Sequence, residues 1–386
     1  MKLHFDLSAC VRAKSKFSEC RKCLDVCPDV ISLSEEGMPT FQKATGVEAA
    51  ACVGVCPTEA FSLSAFSTTE FFFTFLESKV RLISPKFNVP CLSVLSVEHL
   101  ISLALASAEP ITLDVCAYDA NSTLFASIAT TIEEANFILS SFSEKRLESN
   151  FNTEGIETFE VSKEKEQTST SRRSFLENAS LKGVLKHKKA LDEAVEEELF
   201  LTFDIDSDMI AKMKDKQLPD KRKILLTTLK HAGIPEEFEI LPEEEVGFIS
   251  QKYIDETCTN CQICYRICPT GALSSDGKFS LIQFDAMLCL KCHLCHDVCE
   301  PDAIHLQKGF EVKEFFEPTQ RTLAHFTIKR CNECGNHFTY TGGEQMCLRC
   351  SVEEEEARFL HENAKKMKVL REERMQESEN MQGDQT

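Results

Sequence analysis

The sequence predicts an α+β chain of several small domains, most of them organised around cysteine. Three observations point there. The chain has 386 residues, enough for two to four domains. Twenty residues are cysteines, most of them in tight, repeated spacings. The apolar pattern switches repeatedly between short strand-like runs and helical periodicity, without one long repeat.

The N-terminal "MKLHFDLSAC" lacks the apolar region of a secretory signal, and the longest apolar runs, "FFFTFL" and "LISLALASA", are too short to span a bilayer. A cytoplasmic protein with no membrane span is expected, its cysteines holding metals rather than forming disulfides. The net charge of −19 leaves no basic footprint for nucleic acid. The basic run "LKGVLKHKK" is followed at once by "EAVEEE", as on a solvated helix. An acidic surface suits docking on a basic redox partner, and equally suits plain solubility.

Residues 258–301 read C-x2-C-x2-C-x3-C-P, then C-x2-C-x2-C-x3-C-E-P. This stretch, within a module at 246–312, resembles the two-cluster bacterial ferredoxins and polyferredoxin-like proteins. In such proteins three close cysteines wrap one [4Fe-4S] cluster, and the fourth, beside proline, reaches to the other. The resemblance implies a set A of Cys258, Cys261, Cys264 and Cys299. It implies a set B of Cys289, Cys292, Cys295 and Cys268. Glu300, inserted before Pro301, changes no ligand.

Residues 1–66 align with that module. Cys20, Cys23 and Cys27 match Cys261, Cys264 and Cys268, and Cys52 and Cys56 match Cys295 and Cys299. Phe17 stands where Cys258 would be, while Cys10 lies seven residues upstream of it. In "GVEAAACVGVCP" the other two cluster positions are Gly46 and Ala49. The module therefore resembles a single-cluster ferredoxin. Cys10, Cys20, Cys23 and Cys56 hold the cluster in this reading, and Cys27 and Cys52 are left over from a lost second site. A compact set of Cys10, Cys20, Cys23 and Cys27 is the alternative.

Near the C-terminus, within 320–352, C331-x2-C334-x12-C347-x2-C350 resembles a zinc ribbon. Four thiolates suit zinc and close its coordination shell, so Cys331, Cys334, Cys347 and Cys350 are expected to bind Zn2+ structurally rather than catalytically. Gly335 suits the tight turn of the first knuckle, and His337 is expected at the surface. Residues 353–386 follow as an acidic helix with Leu360, Ala364, Met367 and Leu370 at helical spacing, fraying from about 378.

Between the iron–sulfur modules, 67–162 reads as a small α/β domain. Strands are expected at "VPCLSVL", "ITLDVCAY" and "IETFEV", with helices at "VEHLISLALASA" and along the face Phe125, Ile128, Ile132, Ala135, Ile138 and Phe142. That places Cys91 and Cys116 on successive strands as core cysteines. No glycine-rich phosphate loop follows either strand. Residues 163–245 supply linker and helices. "SRRSFLE", at 171–177, resembles the twin-arginine export motif, but it is internal and lacks an apolar region. A helix start capped by Ser171 or Ser174 explains it. "LPDKRKILLTTLKHAG" reads as a helix, with Pro219 near its start and Gly233 closing it.

No constellation suggests substrate catalysis, so the chain is expected to be an electron carrier or an electron-transfer subunit rather than a stand-alone enzyme. The resemblances imply single-electron transfer between an oxidoreductase and a partner protein. One alternative is an accessory factor for assembly of an iron–sulfur or molybdenum enzyme, docking through the ribbon or the acidic helix. Another is a thiol redox sensor using Cys27, Cys52, Cys91 and Cys116.

Overall fold

The computed structural model describes residues 2–28, 30–41, 50–150 and 216–383. The expected strand "IETFEV", the linker and "SRRSFLE" lie outside the described residues, as do Gly46 and Ala49. The chain forms two compact units. One is Met1–Ser274 with Gln283–Leu323, and the other is Ser275–Ile282 with Ala324–Thr386.

The same short plan occurs twice along the chain. Leu3–Phe5 pairs antiparallel with Phe61–Leu63, closing the N-terminal module from its two ends. Ile31–Leu33 pairs antiparallel with Pro39–Phe41, around a turn in which Gly37 takes φ +78°. The short helices Lys22–Val26 and Ala51–Val55 lie between these strands in sequence and pack on each other. In the later copy Lys252–Ile254 pairs antiparallel with Ile304–Leu306. Leu273–Ser275 and Leu281–Asp285 are sheet neighbours, and Ile263–Ile267 and Leu294–Asp297 are the two helices. Strands this short bury little surface of their own, so such a fold needs its metal ligands and its neighbours.

The middle region holds a three-stranded parallel sheet in the order Leu82–Ile83, Ile111–Asp114, Leu147–Asn150. Helices Val97–Ala106 and Thr123–Ser140 connect the strands and pack together. The βαβαβ order holds, but the first strand is not where the apolar run put it, and the third, Leu147–Asn150, precedes the expected one. "VPCLSVL" is a buried turn with a 3-10 segment at Leu92–Val94, not a strand. It is apolar because it lies beneath the helix Ala51–Val55. Cys91 and Cys116 are therefore not on successive strands: Cys91 precedes that turn, and Cys116 lies two residues beyond Ile111–Asp114. The helix Asp220–Leu229 starts after Pro219, ends before Gly233, and packs along Val97–Ala106.

In the second unit Ile328–Arg330 pairs antiparallel with His337–Thr339, and a helix runs from Leu348 to Gly383. Leu360, Met367 and Leu370 are exposed on it.

Candidate metal centres

The C-terminal ferredoxin-like residues bring their eight cysteines into two groups. Cys264 sits in Ile263–Ile267, with Cys268 at its end. Cys295 sits in Leu294–Asp297, and Cys289 ends the 3-10 turn Ala286–Leu288. Cys258 and Cys264 each lie in the field of Cys261 and of the distant Cys299. Cys292 and Cys295 each lie in the field of Cys289 and of Cys268. Cys299 thus lies near Cys258 and Cys264, and Cys268 near Cys292 and Cys295. Burial pushes the thiols of Cys264 and Cys295 up to about 12, so without a countercharge they hold their protons. Iron would take the place of those protons.

The loops add backbone amides. Asn260 and Gln262 have φ +56° and +71°, and at the matching positions of the other run Lys291 and His293 have φ +45° and +59°. Left-handed residues alternating with right-handed ones turn successive N–H groups inward, as in anion-binding nests at iron–sulfur sites. Both runs fit a cubane.

In the N-terminal module Cys10 caps the helix Val11–Lys14, Cys23 lies in Lys22–Val26, and Cys56 ends Ala51–Val55. Cys10, Cys20 and Cys23 all lie in the field of Cys56. Burial pushes Cys10 up to about 11 and Cys23 up to about 12. Phe17 is 61% exposed and contributes nothing. Cys27 takes a hydrogen bond with the thiol of Cys52, which Cys23 also influences. That bond and burial together push Cys52 up. The loop differs from its counterparts in one respect: Glu19 and Arg21 are not left-handed. Arg12 braces this loop through backbone carbonyls. Arg12 donates from Nε to the Cys20 carbonyl at 2.6 Å and from Nη1 to the Gly37 carbonyl at 3.0 Å. Lys22 and Arg12 both favour the Cys20 thiolate, against the larger effect of burial.

A buried ionic trio, absent from the sequence-based expectations, holds two of the cysteine loops. Lys221 Nζ donates to the Cys56 carbonyl at 2.6 Å and lies 3.5 Å from Glu98 Oε2. Arg222 is fully buried. It donates to Glu98 Oε1, to the carbonyls of Met287 and Cys289 at 2.7 Å each, and to the Phe248 carbonyl at 2.9 Å. Burial alone would push Glu98 up, but Lys221 and Arg222 outweigh it and hold the carboxyl below its usual range. The sequence did carry a signal. "PDKRK" puts three cations in the first turn of a helix, the end where the dipole disfavours them. Cations placed there need partners elsewhere.

In the second unit Cys331, Cys334, Cys347 and Cys350 bring their sulfurs within 4.8 Å of one another. Cys334 Sγ and Cys347 Sγ are 3.7 Å apart. Four tetrahedral bonds of about 2.3 Å give an edge of about 3.8 Å, the spacing for one zinc-sized ion. Gly335 takes φ +71° after the first pair, and Cys350 lies in the first turn of the long helix. Backbone N–H groups of Cys334 and Cys347 lower Cys331 to about 6, favouring its thiolate. His337 is exposed, outside the set.

Cys91 and Cys116 join none of these groups. Tyr118 Oη donates to Cys91 Sγ at 3.3 Å, and Cys116 donates to Asp114.

Residues 252–274, which contain Cys258, Cys261, Cys264 and Cys268, match the family described as "4Fe-4S binding domain". No curated protein matches the chain. The chain thus carries a ferredoxin-type iron–sulfur segment within a mixed helix and strand fold, which points to [4Fe-4S] binding and an electron-transfer role. Among the described residues no helix is long and apolar enough to cross a membrane.

Proposed function

We propose that this is a cytoplasmic electron-transfer protein that passes single electrons between an oxidoreductase and a partner protein. In this reading set A (Cys258, Cys261, Cys264, Cys299), set B (Cys289, Cys292, Cys295, Cys268) and the N-terminal set (Cys10, Cys20, Cys23, Cys56) each hold one [4Fe-4S] cluster. The ribbon cysteines hold one Zn2+. The transfer makes and breaks no bonds: a donor loses one electron and an acceptor gains one. The chain's own contribution is to bury the thiolates, aim amides and cations at them, and so set the potentials.

One observation carries the reading. Each cysteine beside a proline segment, Cys268 and Cys299, acts on the cysteine run of the other half, the cross-over a two-cluster site requires.

The test is anaerobic purification of the full chain, with iron, sulfide and zinc analysis and EPR of the reduced protein. Three cubanes and one zinc per chain are expected. Two cubanes with zinc would remove the N-terminal set from the account. Protein folded and free of cubane signals would overturn the reading.

A further inference from the structure

Two adjacent residues, Lys221 and Arg222, reach cysteine loops that lie far apart in the sequence. Lys221 holds the carbonyl of Cys56, a ligand in the N-terminal set, and Arg222 holds the carbonyl of Cys289, a ligand in set B. Glu98 lies between the two cations and bonds to both, at 3.5 and 2.7 Å. The link from Cys56 to Cys289 is thus a short chain of polar contacts, buried throughout.

Two further contacts tie the N-terminal module to the residues around set B. The amide of Glu19, next to Cys20, donates to Asp297 Oδ2 at 2.9 Å, and Asp297 lies between Cys295 and Cys299. The ammonium of Lys22 donates to the Gly247 carbonyl at 3.1 Å. On the far side Cys264 of set A lies in the field on Cys295 of set B. The contacts place set B between the other two, and exposure marks set A as the open end. Set A contains the exposed Cys261, and the cysteines of set B are buried or half-buried. At the N-terminal set Cys20 is half-buried, with the exposed Phe17 three residues before it.

From this geometry, and resting on the function proposed above, we infer that Lys221 and Arg222 are positioning residues that join the N-terminal set and set B into a coupled pair, and that electrons cross the molecule in the order set A, set B, N-terminal set. The chemistry gives the cations a second effect. A cubane with four thiolates is a net anion, and two of them close together repel. A guanidinium is a fixed cation, and a fixed cation beside a cluster raises its potential. Glu98 keeps the cations from facing each other unscreened. A buried ionic trio can also be no more than a staple, so the test reads the metals and not stability.

The full chain is purified anaerobically and followed by EPR during redox titration. Cys23→Ser should remove the N-terminal signal and also narrow the signal of set B, through loss of spin–spin broadening, while the signal of set A keeps its shape. Arg222→Gln should lower the midpoint potential of set B, Lys221→Gln that of the N-terminal set, and Arg222→Lys should return set B toward the wild type. If Arg222→Gln fails to fold, the line shape in Cys23→Ser and the potentials in Arg222→Lys and Lys221→Gln decide. An unchanged set B signal in Cys23→Ser overturns the coupling. Unchanged potentials in folded Arg222→Gln and Lys221→Gln reduce the pair to a staple and overturn their role. Both results presuppose cubane signals in the wild type. Their absence would instead defeat the proposed function itself.

Discussion

A methyl group on Gly54 would stand 2.4 Å from the carbonyl oxygen of Ser93 and 2.9 Å from the carbonyl carbons of Val94 and Leu95. Those atoms are backbone and have no rotamer to yield. The helix that ends at Cys56 therefore rests directly on the turn that follows Cys91, with only a hydrogen between them. Gly54→Ala should cost about 1–3 kcal/mol, as overpacking of a tight site does. Thermal unfolding and limited proteolysis measure it. Because Cys56 follows two residues later, iron content should fall as well. Wild-type stability in the variant would mean that this contact is looser than described.

The leftover pair gives a second prediction. Cys52 hydrogen-bonds to Cys27, while Cys56 lies in the group of Cys10, Cys20 and Cys23. Cys56→Ser should abolish or weaken the N-terminal signal and leave the C-terminal signals intact. Cys52→Ser should leave all three clusters in place. The reverse outcome would show that the two modules are misaligned. Loss with Cys27→Ser and not with Cys56→Ser would favour the compact set of Cys10, Cys20, Cys23 and Cys27.

Zinc gives the third. Cys350→Ser, or a strong chelator, should release one zinc per chain while the iron stays. A closed thiolate site contributes folding free energy outright. The strands Ile328–Arg330 and His337–Thr339 should then become sensitive to protease. Retention of zinc in Cys350→Ser would remove that residue from the set.

The fourth concerns pH. His99 is buried, and its Nδ1 lies 3.0 Å from Ser96 Oγ at the start of the helix Val97–Ala106. Burial first, then the charge of Lys221, lowers His99 to about 4, against smaller opposing effects of Glu98 and Asp220. The unfolded chain, with its histidine near 6.5, binds the proton more readily. The stability held by neutral His99 is therefore complete above pH 6.5 and is lost as the pH falls from there to about 4. At most this amounts to about 3 kcal/mol. The melting temperature of the wild type should drop between pH 7 and pH 5, and that of His99→Gln should drop less. Equal slopes would discharge His99 from the role.

What the sequence made legible was the local chemistry. A thiolate group with C-x2-C-x2-C spacing can do few things, so the ligand candidates could be named before any fold was known. The parallel order of the middle sheet was also legible, because helical periodicity marked both crossovers. The first strand was misread. An apolar run at residues 89–95 says that the segment is buried, and a buried turn satisfies that as well as a strand does. Leu82–Ile83 is too short to show any period. The trio Glu98, Lys221 and Arg222 was hidden for another reason. Glu98 and Arg222 are 124 residues apart, and burial turns what reads as ordinary surface charge into a fixed link. Only the misplaced cations of "PDKRK" hinted at it.

The order in which the chain leaves the ribosome matters for this arrangement. Cys10, Cys20, Cys23 and Cys56 all emerge early, yet Lys221, whose ammonium holds the Cys56 carbonyl, follows 165 residues later. Until then the loop at Cys56 lacks one of its anchors, and Cys289, the partner loop across the trio, has not yet been made. The first cysteine set to be synthesised thus waits 165 residues for one of its anchors.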